Sequence, residues 1–133
     1  MIYALDTNII IHLLQNTPVA VTKYDENLSL GIQIVIPPYV DYEICRGLRY
    51  ANATAKERMY KQLCESCEIG EMRRNTWVLA ANLYSDLRRK GYTVSDADIL
   101  IAAFCIENNC TLATNNTKDF ENMEGLQIVD WLM

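Results

Sequence analysis

Four carboxylates in this chain, Asp6, Glu43, Asp98 and Asp119, combine residue types and placements that suit shared chemistry. Asp6 ends the apolar run Ile2–Leu5 and is followed by Thr7 and Asn8 before Ile9-Ile10-Ile11. Glu43 lies among Tyr42, Ile44 and Cys45, shortly after Pro37-Pro38. Asp98 follows Ser95 by three residues and opens the apolar stretch Ile99–Ala103, with Asp96 as an acidic neighbour that competes for its role. Asp119 closes Asn115-Asn116-Thr117-Lys118, just past a short apolar run. Each has an ordinary alternative. Asp6 suits a helix N-cap, Glu43 an i,i+3 pair with Arg46, Asp98 a capping arrangement with Ser95, and Asp119 a turn that bonds its own backbone.

Taken together, the four acids point to a cation. Two carboxylates ~5 Å apart repel by roughly 3 kcal/mol at an effective dielectric of 20, about two pKa units on one of them. An all-oxygen cluster suits a hard divalent ion such as Mg²⁺ or Mn²⁺, and leftover acids can orient an attacking water. Other chemistries lack their parts. The single histidine, His12, lies on an apolar helical stretch and reads as a packed residue, and one imidazole excludes a two-imidazole mechanism. No GxSxG elbow, GxxxxGK[ST] loop or GxGxxG fingerprint occurs. Metal-assisted hydrolysis is what remains.

The elements that must position these acids follow from the pattern. Ile2–Leu5, Ile32–Ile36, Cys67–Ile69, Thr111–Thr114 and Leu126–Val129 read as short strands. Between them the spacing predicts a helix capped by Thr7 or Asn8 and running to about Gln15, and another from Pro18 that Gly31 stops. Further helices are expected over Tyr39–Tyr50, over 55–66 with a cap in Asn52-Ala53-Thr54, over Arg73–Lys90 closed by Gly91, and from Ser95 to about Asn108. Alternation of this kind predicts a three-layer α/β/α fold around a short, mostly parallel sheet. In such sheets, ligands bind at the carboxyl ends of the strands.

The 133 residues are expected to form a single domain, long enough to bury a core without staples. A net charge of −5 makes whole-molecule attraction to nucleic acid weak, so a polyanion needs local cations or a metal. Candidates are Arg46, Arg49, Lys56, Arg58, Lys61, Arg73-Arg74 and Arg88-Arg89-Lys90, with Arg46 favoured because it lies one turn beyond Glu43. Tyr39, Tyr42 and Tyr50 suit either base stacking or packing. Five cysteines, an odd number with one isolated CxxC at 64–67, and no basic-then-apolar leader predict free thiols in a reducing cytoplasm. No run is long enough for a membrane span.

At this level the chain resembles the PIN-domain family, and within it the VapC-type toxins of bacterial toxin–antitoxin pairs. The similarity rests on Leu5-Asp6-Thr7-Asn8, Pro37-Pro38 with Tyr42-Glu43 and Arg46-Gly47, Asp98–Ala103, Thr114–Phe120, and the closing Gly125-Leu126 and Asp130-Trp131. It implies a Mg²⁺- or Mn²⁺-dependent endoribonuclease in which Asp6 and Asp98 hold the metal. Glu43 and Asp119 would complete the site or activate water, with Thr7, Asn8, Thr114 and Asn116 as polar supports and Arg46 on the RNA. Many members carry an acid where Asn116 stands here, and the role is carried to Asp119. The resemblance further implies a homodimer and a small antitoxin that occludes the acidic pocket. Competing readings are a metal-dependent phosphatase of the haloacid-dehalogenase type, which needs an acid where Asn8 stands, and a PIN-fold module that binds without catalysis.

Overall fold

The computed structural model describes residues 1–133. In chain order the elements are β1 (Ile2–Leu5), α1 (Thr7–Leu14), α2 (Pro18–Ser29), β2 (Gln33–Ile36), α3 (Pro38–Tyr50), α4 (Thr54–Ser66) and β3 (Glu68–Ile69). There follow α5 (Arg74–Arg89), α6 (Asp96–Glu107), β4 (Thr111–Ala113), a 3₁₀ turn (Thr117–Asp119) and β5 (Gln127–Val129). The five strands form one sheet in the order β3-β2-β1-β4-β5, giving the expected three-layer α/β/α arrangement. Every pairing is parallel, so the sheet is wholly rather than mostly parallel. Parallel neighbours need crossovers, and the helical segments supply them.

The strand order reverses between β1 and β4. Chain leaving β1 runs outward through β2 to β3, and then returns through α5 and α6 to pair on the other side of β1. That reversal point is where α/β sheets open a crevice beyond their carboxyl ends. Asp6 extends β1 through a backbone bond from its N–H to the Ala113 carbonyl at 2.9 Å. Thr114 extends β4 the same way, toward Val129 on β5 at 2.9 Å. Both side chains therefore emerge at the reversal point.

Twenty-eight buried hydrophobic residues form one cluster around the sheet. Ala4, Leu5, Ile34, Ile36, Leu112 and Ala113 supply its strand side, and Ile9, Ile10, Val40 and Ala102 its helix side. Behind Asp98, α6 is apolar nearly all round, and every residue of Ile101–Cys105 is buried. Its first turn must therefore leave the core at a fixed place.

Helix ends differ in detail from the sequence reading. Asp6, not Thr7 or Asn8, is the N-cap of α1 and accepts from the Thr7 N–H. Asn52 does not cap α4: it sits at φ +52° just past α3, and Ala53 occupies the N-cap without a side-chain bond. Asn16 and Asn109 end α1 and α6 in the same left-handed conformation, which Asn tolerates better than most residues. Gly31 and Gly91 end α2 and α5 as expected, at φ +73° and +89°. His12 is half-buried rather than packed in the core, with Nδ1 2.9 Å from the Thr17 hydroxyl. All five cysteines are free; Cys105 and Cys110 are buried, and Cys45, Cys64 and Cys67 half-buried.

Candidate active site

Asp6 is the most firmly held of the acids, with 5% of its surface exposed. Its Oδ1 accepts from the Thr7 N–H at 2.8 Å, and its Oδ2 from the Thr114 hydroxyl at 2.7 Å and Asn8 Nδ2 at 3.3 Å. The cap and the site reading are thus not rivals: one oxygen caps α1 while the other is tied to β4. Burial pushes the Asp6 carboxyl above its ordinary 3.8, and the charge on Glu43 pushes the same way against these donors.

Glu43 reaches the same edge from α3. Its Oε1 accepts from the Thr7 hydroxyl at 2.7 Å, so Thr7 touches Asp6 through its backbone and Glu43 through its side chain. Glu43 Oε2 also lies 3.7 Å from Arg46 Nη2, the i,i+3 pair named as its ordinary alternative. That pair is half exposed at Arg46, so it contributes little to stability.

Asp98 is half-buried on the first turn of α6, where the Ser95 hydroxyl accepts from its backbone N–H at 3.2 Å. Burial raises its carboxyl to about 6; Ser95 opposes this, and the charges of Asp119, Asp6 and Glu43 add to it. The four acids drawn from four separate stretches of sequence therefore share one electrostatic neighbourhood. Asp96 is exposed and faces elsewhere, along a groove of about 460 Å³ between α5 and α6 with Trp77, Tyr84 and Ile99. Of the two acids on that turn, Asp98 is the one that joins the cluster. Asp119 is exposed, at the end of the 3₁₀ turn.

The polar supports are bound as a lattice. The Asn115 N–H donates to Asn8 Oδ1 at 3.0 Å, and the Asn116 N–H to the Thr114 hydroxyl at 3.0 Å. Asn116 therefore supports the site through its backbone, and Asn115 and Ser95 belong to the support although the sequence reading did not name them for it. Ser95 carried a signal, its spacing to Asp98. Asn115 carried none, because any residue supplies a backbone N–H.

The donor set fits a hard cation: carboxylates and hydroxyls converge with no imidazole or thiol among them. Burial raises Asp6 and Asp98, and charge adds to it: Glu43 acts on Asp6, and Asp119, Asp6 and Glu43 act on Asp98. A divalent ion relieves that repulsion. No three of them form a ready-made cage on their own. Mg²⁺ does not require one, since it binds through one or two carboxylates and keeps waters for the rest. A cavity of about 260 Å³ lined by Asp41, Cys45, Tyr60 and Cys64 includes none of these four acids.

A parallel sheet reversing at β1/β4, with acids gathered from β1, α3, α6 and the turn after β4, is the design of a PIN domain. The family model for the PIN domain matches residues 3–126, and the chain belongs to that family. It is 30% identical over 134 residues to ribonuclease VapC2 of Rickettsia felis, with 98% of each chain covered. The fold is similar to that in the crystal structure of VapBC2 from Rickettsia felis bound to a promoter DNA fragment. There the TM-score is 0.90 at 27% identity, over 98% of this chain and 99% of the other. It is likewise similar to VapBC-1 from nontypeable Haemophilus influenzae, with a TM-score of 0.88 at 27% identity and both chains fully covered.

Proposed function

We propose that the chain is a metal-dependent endoribonuclease and the toxin of a toxin–antitoxin pair, its residues 1–133 acting as one nuclease domain. The observation that carries this reading is the run of hydrogen bonds Thr114–Asp6–Thr7–Glu43 at the carboxyl ends of β1 and β4, with the charges of Asp119, Asp6 and Glu43 acting on Asp98 beside it. Relatives named as VapC ribonucleases, and neighbours solved as VapBC complexes, support the activity and a small antitoxin partner. No helix is long and apolar enough to cross a membrane. A homodimer working in the cytoplasm is part of the same reading.

In this mechanism Asp6 and Asp98 would hold the ion. A bound Mg²⁺ or Mn²⁺ would supply positive charge against the scissile phosphate and make water more acidic. Thr114, Asn8 and the Thr7 N–H fix both oxygens of Asp6, so its orientation is set before substrate arrives. Glu43, aimed by the Thr7 hydroxyl, takes the proton from the attacking water. Asp119 is exposed, its charge acts on Asp98, and it orients that water or carries the proton away. Arg46 stands beside Glu43 to meet the phosphate backbone. Haloacid-dehalogenase chemistry finds no second acid here, because Asn8 spends its side chain bridging Asp6 and Asn115.

Incubating the purified chain with structured RNA in EDTA, Mg²⁺ and Mn²⁺ tests this. Cleavage is expected with either ion and is expected to vanish in EDTA and in Asp6→Asn and Asp98→Asn. Cleavage that persists in EDTA, or hydrolysis of small phosphate esters without RNA cleavage, contradicts it.

A further inference from the structure

Beside the acid cluster, α3 carries an exposed aromatic and cationic surface that the hydrolytic chemistry does not use. Tyr42 is 55% exposed, although α3 packs into the core through Val40 and Ile44. The Arg46 guanidinium lies over it, 5.0 Å from the ring centroid. The Tyr39 ring meets Tyr42 edge-on, with centroids 5.8 Å apart and planes at 64°. The same Arg46 lies 3.7 Å from Glu43, and no other lysine or arginine is ion-paired to any of the four acids. On the other side of Glu43, Lys56 faces Thr7, Glu43 and Gly47 across a cavity of about 180 Å³.

Charge decides what this surface can receive. The chain carries −5 overall and concentrates acids on this edge, so an approaching phosphodiester is repelled unless a local cation meets it. Arg46 is placed for that, yet in the free chain it is held between an acid and a ring. A half-exposed guanidinium that exchanges a 3.7 Å carboxylate contact for a phosphate loses little, since pairs open to solvent are weak. An aromatic ring next to such a cation is the combination by which proteins hold single-stranded nucleic acid without reading its sequence. A duplex keeps its bases stacked inward and cannot use the ring.

We propose that Tyr42, braced by Tyr39 and Arg46, is a stacking platform for one unpaired base of the RNA next to the cleaved bond. On binding, Arg46 exchanges Glu43 for the phosphate of that nucleotide. The exchange also frees Glu43 to accept a proton at the moment substrate is seated. This rests on the endoribonuclease reading above, and Tyr42 is a positioning residue within it.

The test is a fluorescence titration of a short single-stranded RNA carrying one 2-aminopurine, using the Asp98→Asn chain so that binding is read without cleavage. Adding Tyr42→Leu is expected to weaken binding about ten-fold and to abolish the quenching of 2-aminopurine, whereas Tyr42→Trp restores both. A duplex of the same sequence should bind equally well with and without Tyr42→Leu. In the otherwise native chain, Tyr42→Leu should raise KM about ten-fold with kcat nearly unchanged. Arg46→Gln should flatten the salt dependence of binding by about one phosphate contact. Equal single-strand binding with and without Tyr42→Leu overturns the platform, as does no RNA binding by either chain. A loss of binding that follows dissociation of a dimer in sedimentation also overturns it, in favour of a protein interface. Cleavage retained in Asp98→Asn would instead overturn the metal-carboxylate role of Asp98, and the binding comparison would still report on Tyr42.

Discussion

Asp6 and Asp98 share one acidic edge and are built into it in different ways. Asp6 ends a central strand, has 5% of its surface exposed, and has three donors on its two oxygens, one of them the buried hydroxyl of Thr114 from 108 residues away. Asp98 stands half-buried on the first turn of a helix, tied through its backbone to Ser95, and is shaped by the charges of Asp119, Asp6 and Glu43. The first is fixed by hydrogen bonds and responds to geometry. The second is fixed by the burial of the helix behind it and responds to charge. In the proposed nuclease, this pairing of one rigid and one responsive acid would let the site hold an ion in place while its charge balance changes as substrate enters.

The sharpest way to break this contrast is to remove the charges themselves. Asp98→Asn should lower RNA cleavage by a factor of about 100 or more while the fold is retained, and Asp6→Asn should do the same. Rates measured at saturating Mg²⁺ check both. Thr114→Val should come next. It removes the donor to Asp6 and the acceptor for the Asn116 N–H while keeping shape. Activity should fall by about 10–100-fold, and stability by about 1–2 kcal/mol because buried polar partners are left unpaired. An equal loss in Thr114→Ser would show that the hydroxyl is not what matters.

The charge-responsive side makes a stability prediction of opposite sign. Asp98 rises from 3.8 in the unfolded chain to about 6 in the fold. Below pH 4 both states hold the proton and there is no penalty. Between about 4 and 6 the unfolded chain releases it first, so stability falls as pH rises, and above 6 the penalty is complete. In metal-free buffer, Asp98→Asn should therefore be more stable than the native chain at pH 7, by about 1 kcal/mol after allowing for partial exposure. The gain should vanish near pH 4, and Mg²⁺ should close the gap at pH 7 by stabilising the native chain alone. Thermal melts across that range check it. Asp119→Asn should have the smallest effect, a few-fold loss in rate, since Asp119 is exposed and acts through water.

Much of this site is legible in the sequence because each acid is announced by its own neighbours. Asp6 ends an apolar run, Asp98 opens a helix that must be buried, and Glu43 follows two prolines that start a helix after a strand. Local pattern fails where a residue is used twice or across the chain. Asp6 reads as a cap or a ligand, yet its two oxygens allow both. The bond from Asn115 to Asn8 spans 107 residues and uses a backbone donor, so no side-chain type announces it. Asn16, Asn52 and Asn109 look like ordinary polar residues, yet their left-handed φ is what ends three helices. The parallel direction of every strand is likewise a tertiary fact, set by helical crossovers rather than by any strand's own residues.

Direct titration of Mn²⁺ into the purified chain by calorimetry at pH 7.5, beside Asp6→Asn and Asp98→Asn, bears most directly on the claim that these acids form one cation site. The native chain should bind Mn²⁺, and either substitution should weaken that binding at least ten-fold, with Asp98→Asn leaving the melting temperature in metal-free buffer no lower than the native one. Unchanged Mn²⁺ affinity in both variants, or RNA cleavage by a native chain that binds no Mn²⁺, would contradict it.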